Sequence, residues 1–212
     1  MRRSIFCLAL LTVISTTPMA MADNDRHDHS FRVRTHLSGF NEVHFSAGNF
    51  TVTPVVPPAI RGAVSTVASG KFVAKFDAHS DPPTIHYELS YKNLEGTVTQ
   101  AHIHFGQRHT VGGIVVWLCQ TEGTRAPDPV SDPEVTPFCP MPEGTVEGTI
   151  TPDQVLAQTA QGIEAGAFDE LVAAILAGAT YANVHTGPKM NPESSGFPQG
   201  EIRGQIPGSY DN

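Results

Sequence analysis

FRVRTHLS, residues 31 to 38, alternates without interruption: Phe31, Val33, Thr35 and Leu37 fall on one side, Arg32, Arg34, His36 and Ser38 on the other. Side chains two apart in an extended backbone share a face, so this stretch predicts a half-buried β-strand. The same period returns further along. Phe72, Ala74 and Phe76 alternate with Lys71 and Lys75, and Ile85, Tyr87, Leu89 and Tyr91 alternate with His86, Glu88 and Ser90. Val98–Phe105, Ile114–Leu118, Thr145–Ile150, Tyr181–Thr186 and Glu201–Ile206 are further strand candidates. Turn-forming runs such as SDPP, NLEG and GQRHTVGG separate them. Many short strands with such turns between them predict an all-β, antiparallel sandwich or barrel.

Two stretches depart from that rhythm. TPDQVLAQTAQG offers Thr151 as an N-cap, Pro152 at the first helical position and Gln154 to complete a capping box. AFDELVAAILAG follows, with Phe168, Leu171, Val172, Ile175 and Leu176 at spacings of three and four and Gly178 as terminator. A helical excursion around residues 152–177 is expected, with its apolar face packed on one end of the β structure. PVVPPAIRG, residues 54 to 62, reads as an irregular, partly polyproline connection.

The chain opens with Arg2 and Arg3, an apolar run from Ile5 to Ile14, and small residues ending Ala20-Met21-Ala22. That is the pattern of a secretory signal peptide over residues 1–22, cleaved after Ala22, which places the mature protein outside the cell or in the periplasm. The apolar run is too short for a membrane span, and no later segment is longer. Residues 23–30, DNDRHDHS, read as a disordered mature N-terminus, residues 31–207 as one domain and residues 208–212 as a tail. Losing Arg2 and Arg3 takes the formal charge from −8 to −10. An acidic chain without a basic stripe argues against nucleic acid or anionic membranes as partners. Removing Cys7 leaves Cys119 and Cys139, an even pair in an oxidising compartment, which favours one disulfide across the Pro-rich insert 120–139. Closing that loop is worth roughly 3 kcal/mol in the chain-entropy account.

The candidate chemistry sits on three strands. In AHIHFG, Ala101, Ile103 and Phe105 form the apolar face, with His102 and His104 opposite. In YANVHT, Tyr181, Asn183 and His185 share the polar face; in GEIRGQI, Glu201, Arg203 and Gln205 do. If these strands are neighbours, His102, His104 and His185 converge. Three imidazoles suit copper or zinc with a position left open. Glu201 is then a candidate to fix an imidazole tautomer, with Arg203 as its ion-pair partner. Two structural alternatives stay open: a solvent-exposed polar face, or a hydrogen-bonded network buried under loops. No G-x-S-x-G elbow, phosphate-binding Gly-rich loop or H-E-x-x-H motif accompanies them.

The same stretches carry a family resemblance. GTVTQAHIHFG, GGIVVWLC and LAGATYANVHTGPKMNPESSGFPQGEIRGQI resemble the CHRD domain, repeated in chordin and found alone in bacterial secreted proteins. LSGFNEVHFSAG resembles its opening strand and Asn-Glu turn, and ASGKFVAKFD and IHYELSYKNL resemble the strands that follow. The resemblance runs from about Phe31 to Ile206, and NVHT followed by GEIRGQ is its most specific part. It implies a Greek-key-like β-sandwich with a helical excursion before the NVHT strand. His44 stands where the family has a proline, and would add an imidazole if that turn lies near the others. AHIHFG alone is similar to the copper-binding strand of copper–zinc superoxide dismutases, a barrel of the same general architecture. Only His109 and His185 follow His104, so a dinuclear site and dismutase activity are not expected, whereas a mononuclear site stays open.

Three functions follow as expectations. The first is a secreted binding or interaction module without catalysis of its own, its partner an extracellular or periplasmic protein. The second is a mononuclear copper or zinc protein for metal storage, delivery or redox work. The third is a structural component of an extracellular or envelope assembly.

Overall fold

The computed structural model describes residues 30–46, 59–187 and 196–208. The expected signal peptide, nearly all of the expected N-terminal tail, and residues 209–212 lie outside the described residues. Among the described residues there are ten strands and one α-helix: β1 (Arg32–Ser38), β2 (Val43–Ser46), β3 (Ala59–Gly62), β4 (Ser69–Asp77), β5 (Thr84–Lys92), β6 (Thr97–Phe105), β7 (Gly113–Cys119), β8 (Gly144–Ile150), α1 (Phe168–Leu176), β9 (Thr180–Gly187) and β10 (Ile202–Ile206).

Eight of the strands form one antiparallel sheet in the order β7-β6-β9-β10-β1-β4-β5-β8. The sheet curls until its two edges approach, a nearly closed barrel. Tyr87 on β5 reaches across that seam and donates its hydroxyl to the Leu118 carbonyl of β7 at 2.6 Å. The connections β5 to β6 and β8 to β9 pass over intervening strands, the crossing pattern of a Greek key. An eight-stranded barrel has an interior that side chains fill. Here Leu37, Phe72, Ile85, Leu89, Ile103, Leu118, Ile150, Ile202 and Ile206 fill it, each fully or almost fully buried.

The period-two reading holds for the core face, with strand ends extended by a residue or so at β6, β7, β8 and β9. The helical excursion is shorter than expected. The capping box at Thr151 and Gln154 forms, but it starts only a single 3-10 turn, Pro152–Gln154. A second 3-10 turn spans Thr159–Gln161, and the α-helix proper is α1. Val155, between the two turns, and Ile163, between the second turn and α1, are drawn into the core, which breaks the run. Helix α1 buries Phe168, Leu171, Val172 and Ile175 against the barrel end, and Gly178 closes it in the left-handed conformation at φ +66°. The expectation of irregular chain at 54–62 fails at its end, because Ala59–Gly62 is β3 and pairs with β2.

Cys119 and Cys139 are joined as a disulfide. Within the insert, the fully buried Gln120 donates to the carbonyls of Ser131 and Thr136 at 2.9 and 2.6 Å and accepts the Ala126 N–H at 2.9 Å. That side chain is satisfied on both ends, which lets it sit in the interior. The insert thereby brings Ala126 and Val130 down onto Trp117, on the outer side of β7.

Candidate metal centre

Strand register explains how three distant histidines meet. Across the sheet His102 lies opposite Trp117 on β7 and Asn183 on β9, and Asn183 lies opposite Arg203 on β10. The next row places His104 opposite Ile114 and Tyr181. His185 stands two residues from Asn183, so it is diagonal to His102 on the same outer face. Diagonal pairs are 7–8 Å apart at the backbone, within reach of ring side chains. Register shifts in the β6–β7 ladder fall between Ala101 and His102 and between Ile103 and His104. Such irregularities re-aim side chains, and these flank both imidazoles.

The outer face of a barrel strand would normally meet water. Here the loop after β6 and the segment before β10 fold over it. His102 is fully buried, and His104 and His185 are each 7% exposed. His104 Nδ1–H donates to the Gly112 carbonyl at 3.0 Å, and His185 Nδ1–H donates to the Pro198 carbonyl at 2.9 Å. A carbonyl can only accept, so each Nδ1 must carry the proton and each Nε2 a bare lone pair. Both Nε2 atoms are buried without a hydrogen-bond partner, as are both nitrogens of His102. One nitrogen from each of the three rings lies within 4.8 Å of the other two. The centre of such a triangle is no more than about 2.8 Å from any corner. A metal–imidazole bond is about 2.0–2.1 Å, so an ion needs only sub-ångström ring movements.

The walls are aromatic. Trp117 meets His102 edge-to-face with ring centres 4.3 Å apart, and Tyr181 lies parallel on His104 at 4.7 Å. The Arg203 guanidinium stacks 3.3 Å above the Tyr181 ring and donates to the Thr110 and Gln107 carbonyls at 2.7 and 3.1 Å, pinning the loop after β6. Burial, reinforced by the neighbouring imidazoles, pushes the His102 pKa well below its ordinary 6.5. Burial first, then His185, brings His104 down to about 3. Burial outweighs the raising effect of the Pro198 hydrogen bond and takes His185 to about 4. All three rings are therefore neutral near pH 7, the form that binds a metal.

The other candidates separate. Asn183 donates to the Glu42 carboxyl and to the Ile202 carbonyl, the latter at 3.2 Å. Glu42 is buried, and desolvation raises its pKa to about 8. Glu201 does not serve the imidazoles. It sits in a bend ahead of β10, which breaks the alternation assumed for GEIRGQI. Its carboxylate accepts from Thr66 and Thr186 hydroxyls at 2.8 and 2.9 Å, and from the N–H groups of Glu95 and Gly96 at 2.7 and 3.3 Å. Nor does it pair with Arg203; among the described residues the ion pairs are Lys71–Glu88 and Arg125–Glu122. His44 stands beside the triad, its Nε2 hydrogen-bonded to the Gly200 carbonyl at 2.7 Å, and is not one of the converging donors. His109 is exposed in the loop after β6, at φ +65°, and stays apart.

Sequence reasoning missed Trp117, Gly112 and Pro198. The β6–β7 irregularities hide the parity of Trp117. Carbonyls have no residue-type signature, and GQRHTVGG reads only as a turn between strands.

Comparison with known proteins agrees with this architecture. No curated protein and no solved structure matches the chain. The family model of the CHRD domain matches residues 33–206, nearly all of the β structure and every residue of the histidine triad. On that match the chain belongs to the CHRD domain family.

Proposed function

We propose that this domain is a binding module without catalysis of its own, whose ligand is one copper or zinc ion held by His102, His104 and His185. The observation that carries the reading is the set of buried imidazole nitrogens without hydrogen-bond partners. A buried polar atom left unpaired costs about 1–3 kcal/mol, so a purely structural network would have paired them. Backbone carbonyls orient His104 and His185 from behind, the arrangement that fixes tautomer and direction in metal ligands. The disulfide and the N-terminal sequence favour an exported protein that meets its ion outside the cytoplasm.

Metal analysis of untagged protein after exposure to micromolar copper or zinc tests this directly. About one equivalent is expected for the wild type and none for His102→Leu. The metal-free variant should be at least as stable as the metal-free wild type, because leucine removes two unpaired polar atoms while keeping the volume. Wild-type protein that takes up no metal, paired with a clearly destabilised variant, would assign the cluster to the fold alone.

A second reading, contact with a protein partner, is favoured by one feature. Phe45 and Ile60 are cross-strand neighbours on β2 and β3, exposed by 49% and 62%, and Phe40, in the turn ahead of β2, is exposed by 73%. Apolar side chains grouped this way mark interaction surfaces. The two readings are compatible, since these side chains are not among the converging donors.

A further inference from the structure

Which ion the triad prefers can be read from its charge and its dryness, given the metal-binding reading above. The donor group consists of three neutral imidazoles; among the described residues no carboxylate or thiolate joins it. Cys119 and Cys139 are committed to their disulfide. The nearby carboxyl groups are committed as well, Glu42 to Asn183 and Glu201 to Thr66, Thr186 and two backbone N–H groups. A positive charge stands on the wall, because Arg203 stacks on Tyr181 and Tyr181 on His104.

The cost of moving an ion from water into such a site grows with the square of its charge, so a divalent ion costs about four times a monovalent one. With no anionic ligand and a guanidinium alongside, nothing in the donor set offsets that difference. Coordination number points the same way. Zinc takes four ligands, and divalent copper prefers a tetragonal set of nitrogen and oxygen donors, so both would need water here. Trp117 and Tyr181 wall the site, His102 is fully buried, and the outer rings are 7% exposed.

We infer that the site is built for monovalent copper, held in three-coordinate fashion by His102, His104 and His185 without a water ligand. Arg203 then acts as a selectivity residue. Its charge repels a divalent ion twice as strongly as a monovalent one, at a position that touches neither the ion nor the imidazoles.

The test uses the full chain stripped of metal and titrated with three probes. These are copper(I) kept reduced by ascorbate without oxygen and competed with a chromogenic copper(I) chelator, zinc(II) competed with a zinc dye, and copper(II) competed with glycine. One equivalent of copper(I) should bind at least a hundredfold more tightly than zinc(II). Arg203→Met should narrow that ratio about tenfold by strengthening zinc(II) binding, and Arg203→Lys should preserve it. If the methionine variant does not fold, the wild-type ratio decides alone. Zinc(II) or copper(II) binding as tight as copper(I) would overturn this inference and leave the metal-binding reading standing. Failure of all three ions to bind would overturn both.

Discussion

At the scale of single residues, burial decides the protonation of the triad, and protonation decides how stability varies with pH. The folded-state pKa values of His104 and His185 are lowered to about 3 and about 4 from 6.5. Below pH 6.5 the unfolded chain takes up protons that the folded triad refuses. The triad's contribution to the stability of the metal-free protein is therefore fully present above about pH 6.5 and is lost as pH drops towards 4. Glu42 acts in the opposite sense, since its raised pKa removes stability as pH climbs from 4.5 to about 8. Unfolding free energies from urea titrations between pH 4 and 6.5 should fall less steeply with falling pH for His102→Leu than for wild type, by up to about 1.4 kcal/mol per pH unit. Equal slopes would mean that His102 protonates in the folded state as freely as in water. The three histidines themselves were legible in the sequence, because period two assigns a face and the face survives folding. Their burial was not legible, since the residues that cover them come from loops far along the chain.

At the scale of elements, the segment Phe197–Gly200 does the covering for His185 and His44. Pro198 orients His185, and Gly200 receives the bond from His44. Gly200 has φ +122°, and a Cβ there would lie 2.5 Å from Asn183 Nδ2 and 2.7 Å from Glu42 Oε1. Gly200→Ala should therefore cost about 1–3 kcal/mol through backbone strain and displaced side chains. It should also weaken metal binding tenfold or more, by letting His185 lose its orienting carbonyl. Denaturation midpoints and chelator competition check both effects; wild-type values for both would show that this segment is a passive cover. The element-level reading of the sequence succeeded where one face is buried and the other polar, as in β1, β4 and β5. It failed at β3, where a Pro-rich approach masks a four-residue strand, and at Glu201, where a bend before β10 reverses the expected direction. It overextended the helix because the capping box at Thr151 marks a helix start without fixing its length.

At the scale of the molecule, the barrel supplies rigidity and the additions to it supply the site. The sheet fixes the spacing of the imidazoles through ladder register on β6 and β9. The disulfide-closed insert backs Trp117, and the loop pinned by Arg203 backs His104. This division is why the fold class could be read from alternating residues while the covering of the site could not. Strand period is a local property, whereas the cover is assembled from three separate segments: the loop after β6, the disulfide-closed insert and the segment before β10. X-ray absorption spectroscopy of the copper-loaded full chain shows whether the three imidazoles hold the ion. Three nitrogen neighbours at about 2.0 Å with imidazole outer-shell scattering are expected, with loss of that signal in His102→Leu. An oxygen-dominated shell without imidazole scattering, unchanged in His102→Leu, would contradict that coordination.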